Sequence, residues 1–260
     1  MGSLAGHNWA FVFLFPIGIR RLWSSLSLHA RSPPPSFRSR PWYLSPDHNL
    51  RNADLYALLL ALPVAAIANL LVAAPLRAAA AALFWLLLIL LPLAPRLPLP
   101  DELAFLLAAL AFLADLALSP ISPSAPALDA RARDLSSLPT LVCAAACLAL
   151  AARPAAIAAD VALSLGIAFK GSWALQAGLA LFALPPRGCL RAAAGLECEL
   201  EEDRLRGVAL LDLLFAGNAV GIAAACVGIF WAVTRSINRS AEAEAMMAWL
   251  MMNPPDLELD

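Results

Sequence analysis

An all-α, polytopic membrane protein, a bundle of seven transmembrane helices, is what the sequence predicts, and three observations predict it. Long apolar stretches follow one another along 260 residues, of which 62% are hydrophobic and 14% charged. Nearly every Arg falls between those stretches rather than within them, as the basic residues of membrane-protein loops do. A mean hydropathy of +0.76 is more than a soluble 27.5 kDa globule can cover with polar surface.

Taken in order, span 1 covers 9–25. The first 19 residues carry no Lys or Arg, and the basic pair Arg20 and Arg21 follows the apolar run. That order is the reverse of a cleavable signal peptide, so span 1 is expected to stay attached with its N-terminus outside. Spans 2 and 3, at 55–76 and 78–95, are separated only by Arg77 and form a tight hairpin. Span 4 covers 103–118, span 5 135–152, span 6 161–184 and span 7 207–234. Each is near the ~20 residues that the hydrocarbon core of a bilayer requires. Pro16, Pro63 and Pro92 are kinks that a membrane helix tolerates. With the N-terminus outside, ten Arg fall on the cytosolic side and seven on the other, and six of the ten lie in Arg20 to Arg51, ahead of span 2. The first loop dominates orientation, which places the C-terminus inside.

The whole chain is one seven-span domain. Pro33, Pro34 and Pro35 forbid helix in the Pro/Ser/Arg-rich loop 29–52, which reads as a flexible cytosolic linker whose arginines are available to anionic lipid. The loop 185–206 is exoplasmic, and 235–260 is an acidic cytosolic tail whose Met-rich stretch, Met246 to Met252, is expected to lie on the membrane surface. A net charge of -1 with scattered Arg excludes a nucleic-acid surface. Five Cys without a C-x-x-C pair or a Cys/His grouping give no zinc site, so no cofactor and no metal are expected. The lipid bilayer is the expected partner. Gly217 and Gly221 form G-x-x-x-G in span 7 with Gly228 two turns on, which suits close helix packing, inside the bundle by default or in self-association.

A charge at mid-bilayer costs about 2.5 to 3.5 kcal/mol on insertion scales, so polar residues inside spans are the candidate site. Lys170 in span 6 is the foremost, with Gln176 beyond it and with Asp115 in span 4 and Asp212 in span 7 as candidate partners. The group reads either as a structural polar network or as a pathway for a solute or ion. Asp54 and Asp160 sit near span ends and read as boundary residues in headgroup water. Cys143 and Cys147, one turn apart, read as buried thiols. Cys189 and Cys198 share the outer loop, nine residues apart, and can close a disulfide in an oxidising compartment.

Two sets of residues resemble a known family. The first is Met1-Gly2-Ser3-Leu4-Ala5-Gly6-His7, Ile17-Gly18-Ile19, Leu28-His29 and Pro41-Trp42. The second, more specific, is Lys170-Gly171-Ser172-Trp173, then Gln176, Pro185, Pro186, Gly188-Cys189, Glu197-Cys198 and Arg206-Gly207. In these the chain resembles the transmembrane protein 45 family from end to end, and above all its plant branch of viral-response proteins. The resemblance implies a seven-span membrane protein of no established enzymatic activity, and a role in stress or pathogen response. It also implies His clusters near the ends of spans 3 and 4 that look like metal-ligand sets. This chain departs there: its only His are His7, His29 and His48, so it reads as a diverged member. The function expected is that of a non-enzymatic multi-pass integral membrane protein, in the plasma membrane or an endomembrane. The alternatives are a small-solute or ion transporter or channel using Lys170, Asp115 and Asp212 and, behind it, a membrane metalloenzyme.

Overall fold

The computed structural model describes residues 4–32, 36–43, 62–64, 67, 100–117, 126–192 and 195–252. The order of elements among them is α1 (Leu4–Arg31), α2 (Asp101–Ala117), α3 (Ala127–Ala152), α4 (Ile157–Gly178) continued by a π-helical turn (Leu179–Ala183), β1 (Cys189–Ala192), β2 (Gly195–Cys198) and α5 (Glu201–Met252). Four stretches are long and apolar enough to cross a membrane: Gly6–Arg31, Ala127–Ala152, Ile157–Ala183 and Glu201–Glu244. They correspond to spans 1, 5, 6 and 7. Span 4 corresponds to α2, whose 17 residues reach about 26 Å at ~1.5 Å per residue. Spans 2 and 3 lie outside the described residues, apart from 62–64 and 67, which are helical.

Several helix ends differ from the sequence expectation. Asp129, Arg131 and Asp134 argue for starting span 5 at 135, yet α3 begins at Ala127. The charges are accommodated because Arg131 pairs with Asp212 and Asp129 accepts from the backbone N–H of Leu196. At the other end, α5 runs on past 234 as one continuous helix to Met252. The Met-rich stretch therefore continues the axis of the span instead of turning onto the membrane surface.

The central helix is α4. Small residues let two neighbours approach it closely: Gly18 of α1 meets Ala168, Gly171 meets Phe15, and Gly178 meets His7, whereas Gly166 meets Cys143 of α3. The descending partners show that α1 and α4 are antiparallel. α2 packs on the far side of α3, burying Phe105 and Ala109 against Cys143, Cys147 and Leu150. A second core gathers Leu128, Leu135, Trp173, Leu181 and Leu211, with Phe169 and Phe215 packed against it. A third joins Leu22 and Leu26 to Val233 of α5. Conversely, no atom of the described residues stands within 4 Å of a Cβ placed on Gly217, Gly221 or Gly228. Among the described residues, the close helix approaches are made by Gly18, Gly171 and Gly178 and not by the G-x-x-x-G of α5.

The loop between α4 and α5 holds an antiparallel hairpin that alternation in the sequence does not reveal, because the strands have four residues each. Cys189 pairs with Cys198 in register and Ala192 with Gly195. Cys189 and Cys198 are disulfide-bonded, while Cys143, Cys147 and Cys226 are free thiols. Gly188, at φ 77°, turns the chain into the hairpin in a conformation that side-chain-bearing residues rarely adopt.

Candidate functional site

Polar side chains are gathered at three levels along α4. The lowest centres on Asp160 in its first turn, which is 0% exposed. One carboxylate oxygen accepts from Arg21 Nη2 of α1 and from Ser39 Oγ at 2.8 Å; the other accepts from Tyr43. Arg21 also donates to the carbonyl of Pro41 at 2.7 Å, the Ser39 N–H to that of Pro154 at 2.7 Å, and Arg20 to that of Tyr43 at 3.0 Å. Arg38 holds Glu102 at the start of α2 at 2.5 Å. Residues 36–43 thus form a strap, with Phe37 and Ser39 buried, that binds α1, α2 and the α3–α4 turn together.

Two expectations are corrected here. Asp160 is no boundary residue in headgroup water, because a buried cation and two hydroxyl donors replace that water. The part of the 29–52 loop that is described at 36–43 is docked rather than flexible, since Ser39 and Tyr43 donate to Asp160 and Arg38 pairs with Glu102. The feature that could have located this cluster is topological: the orientation expected for the chain puts Arg21, at the end of span 1, and Asp160, at the start of span 6, on the same membrane face.

Burial, then the Asp160 carboxylate beside it, pushes the Tyr43 phenol up to about 12 from its ordinary 10.0. A folded-state value above the unfolded one means that the neutral phenol contributes stability that is complete below pH 10 and lost as pH rises toward 12. Unfolding free energy is expected to fall by roughly 2 to 3 kcal/mol across that window. Tyr43→Phe should remove that part of the decline, as chemical denaturation at graded alkaline pH would show; an unchanged slope would mean that the phenol titrates normally.

At the middle level, Lys170 stands midway along the candidate span Ile157–Ala183. Its Nζ pairs with Asp115 of α2, donates to Thr140 Oγ1 of α3 at 2.9 Å, and lies 5.9 Å from the Phe112 ring. Asp212, the other candidate partner, is not there. It holds Arg131 Nε at 2.8 Å nearer the hairpin end, an arginine that sequence reasoning assigned to a loop. Above Lys170, Trp173 Nε1 donates to Ser136 Oγ at 2.9 Å and Gln176 Nε2 to Asn218 Oδ1 at 3.3 Å. The expected network of Lys170, Asp115, Asp212 and Gln176 is therefore three separate contacts. At the top the Arg191 guanidinium lies 3.8 Å over the Phe182 ring, whose other neighbour is His7 at 5.5 Å. The N-terminal end of α1 and the disulfide hairpin consequently share one end of the bundle.

No group of three or more His, Cys, Asp or Glu placed to hold a metal occurs among the described residues. His7 and His29 face aromatic rings, and His48 lies outside the described residues.

Apolar helices of spanning length that hold their charged side chains in pairs define a helical protein of the membrane-spanning class. Within it the chain belongs to the family of unknown function DUF716, whose model matches residues 101–231. That family is the domain of the transmembrane protein 45 proteins, to which the Lys170–Trp173 and Cys189–Cys198 patterns point. No curated protein matches the chain.

Proposed function

We propose that this is a non-enzymatic, multi-pass integral membrane protein with seven spans, its N-terminus outside and its C-terminus in the cytosol. The observation that carries the reading is the pairing of charge: Arg21 with Asp160, Lys170 with Asp115 and Arg131 with Asp212 each neutralise one another within the chain. Pairing within the chain lowers the cost of holding these charges among apolar helices and ties the helices together. The orientation is supported by the shared end of His7 and the disulfide hairpin, since a disulfide persists in an oxidising, extracytosolic compartment. A role in stress or pathogen response follows from the likeness to the plant branch of the family, and the diverged His pattern argues that this member acts without a metal.

A transporter reading has one observation in its favour. The side chains of the mid-span pair keep 24% and 36% of their surface, so Lys170 and Asp115 are not sealed. One series of variants decides between the two. If the pair is structural, Lys170→Leu should lower stability in detergent by about 1 to 2 kcal/mol, a polar membrane contact's share. Lys170→Gln should be milder, because an amide still donates to a carboxylate, and Lys170→Leu with Asp115→Asn should recover part of the loss. Thermal unfolding of the purified variants measures this. Proton or ion flux in proteoliposomes that is present in the wild type and abolished by Lys170→Gln, without loss of stability, would replace the structural reading with the transporter.

A further inference from the structure

Some arginines of the inner end are held by the chain itself, whereas others, among them Arg31, Arg40 and Arg153 as well as two on α5, are exposed. Arg20, Arg21 and Arg38 are committed to acceptors of the chain itself. Arg235 and Arg239 of α5 are exposed, and neither has a carboxylate partner among the described residues. They stand four residues apart and four beyond Trp231, so the three side chains stack along one helix face. The Arg235 guanidinium lies 5.1 Å over the Trp231 ring, which is 61% exposed. Ser236 and Ser240 border this face.

The position of the face along α5 gives it a meaning. From Val208 to Val233 the helix carries one charged residue, Asp212. Trp231 therefore closes the apolar run and Arg235 opens the polar one, the depth at which a bilayer changes from acyl chains to phosphates. An indole suits that boundary, and a guanidinium just beyond it meets phosphate oxygens with a planar fork of N–H donors. Stacking on Trp231 engages the face of the Arg235 fork and leaves its donor edge for an anion. Glu242 and Glu244 follow farther along the helix.

We propose that Trp231, Arg235 and Arg239 form a binding face for the phosphate headgroup of an anionic phospholipid in the leaflet at the C-terminal end of the α5 span. Trp231 packs against the glycerol and upper acyl chain, the two guanidinium groups hold the phosphate, and Ser236 and Ser240 offer hydroxyls beside it. The assignment rests on α5 spanning the bilayer.

The test uses the purified full chain in nanodiscs of phosphatidylcholine, alone or mixed with phosphatidylserine. Either lipid carries brominated acyl chains to quench tryptophan fluorescence, and Trp231→Phe identifies the part of the signal due to Trp231. Quenching of Trp231 by brominated phosphatidylserine should exceed that by brominated phosphatidylcholine. A basic residue near an anionic surface contributes such that Arg235→Gln or Arg239→Gln should each reduce the preference about five-fold, and the double variant on the order of 30-fold. Arg204→Gln, at the opposite end of α5 and paired with Glu201, should leave it unchanged. Equal quenching by both lipids, or a double variant with undiminished preference, overturns the proposal. Inorganic phosphate that competes at millimolar concentration reassigns the face to soluble anions and overturns it as well. Quenching of Trp231 by neither lipid would instead show that α5 does not place it at the bilayer, which removes the underlying span and the proposal together.

Discussion

Asp160→Ala is expected to lower the stability of the bundle by about 3 to 5 kcal/mol, the largest effect of any single polar substitution in the chain. Its size follows from what remains behind. Arg21 is 8% exposed, so removing the carboxylate strands a cation among apolar side chains, and Ser39 and Tyr43 lose their acceptor in the same step. Asp160→Asn should cost less, because the amide oxygen still accepts from the hydroxyls while the ion pair is lost. Arg21→Met combined with Asp160→Leu should recover most of the stability, since a buried pair replaced by apolar groups of similar size is often neutral. Residues 36–43 should be released together, so limited proteolysis of Asp160→Ala ought to cut within the strap under conditions that spare the wild type. Unfolding followed by tryptophan fluorescence supplies the energies. An Asp160→Ala variant with wild-type stability and an uncut strap would mean that the cluster contributes nothing to the fold.

The class of the protein was legible because apolar run length and the placement of Arg report directly on the bilayer. The four helices of spanning length among the described residues correspond to four of the seven stretches, and the disulfide-bonded pair is the one that shares the 185–206 loop. What was not legible depends on pairs distant in sequence. Asp160 and Arg21 are 139 residues apart, and Arg131 and Asp212 are 81 apart, so nothing local distinguishes a charge that ends a helix from one that a neighbour will neutralise. For the same reason the sequence starts span 5 eight residues after the structure starts α3, and it offers both Asp115 and Asp212 to Lys170, of which Asp115 is the partner and Asp212 is held by Arg131. Glycine posed the converse difficulty. Spacing marked the G-x-x-x-G of α5, but in an Ala- and Gly-rich chain spacing alone does not say which helix face has a neighbour.

That distinction gives the second large effect. Gly171→Leu is expected to cost about 3 kcal/mol or more, at or beyond the upper end of overpacking penalties. A Cβ at Gly171 would stand 2.6 Å from the backbone nitrogen of Phe15, and a Cβ at Gly18 would overlap the backbone of Ala168. Backbone cannot rotate away as a side chain can, so α1 must move off α4, and the Arg21–Asp160 pair at the end of the same interface would stretch with it. Gly18→Leu should therefore resemble Gly171→Leu, and the two together should cost less than their sum because the first already separates the helices. Gly221→Leu, which meets no described residue within 4 Å, should stay within about 0.5 kcal/mol of wild type. Unfolding in detergent ranks the three, and light scattering on the same samples asks what the glycine face of α5 does. If Gly221→Leu alone converts a dimer to a monomer, that face joins two copies; if it lowers monomer stability as far as Gly171→Leu does, then α5 packs inward along its glycines and the assignment of the close helix contact to α1 and α4 is wrong.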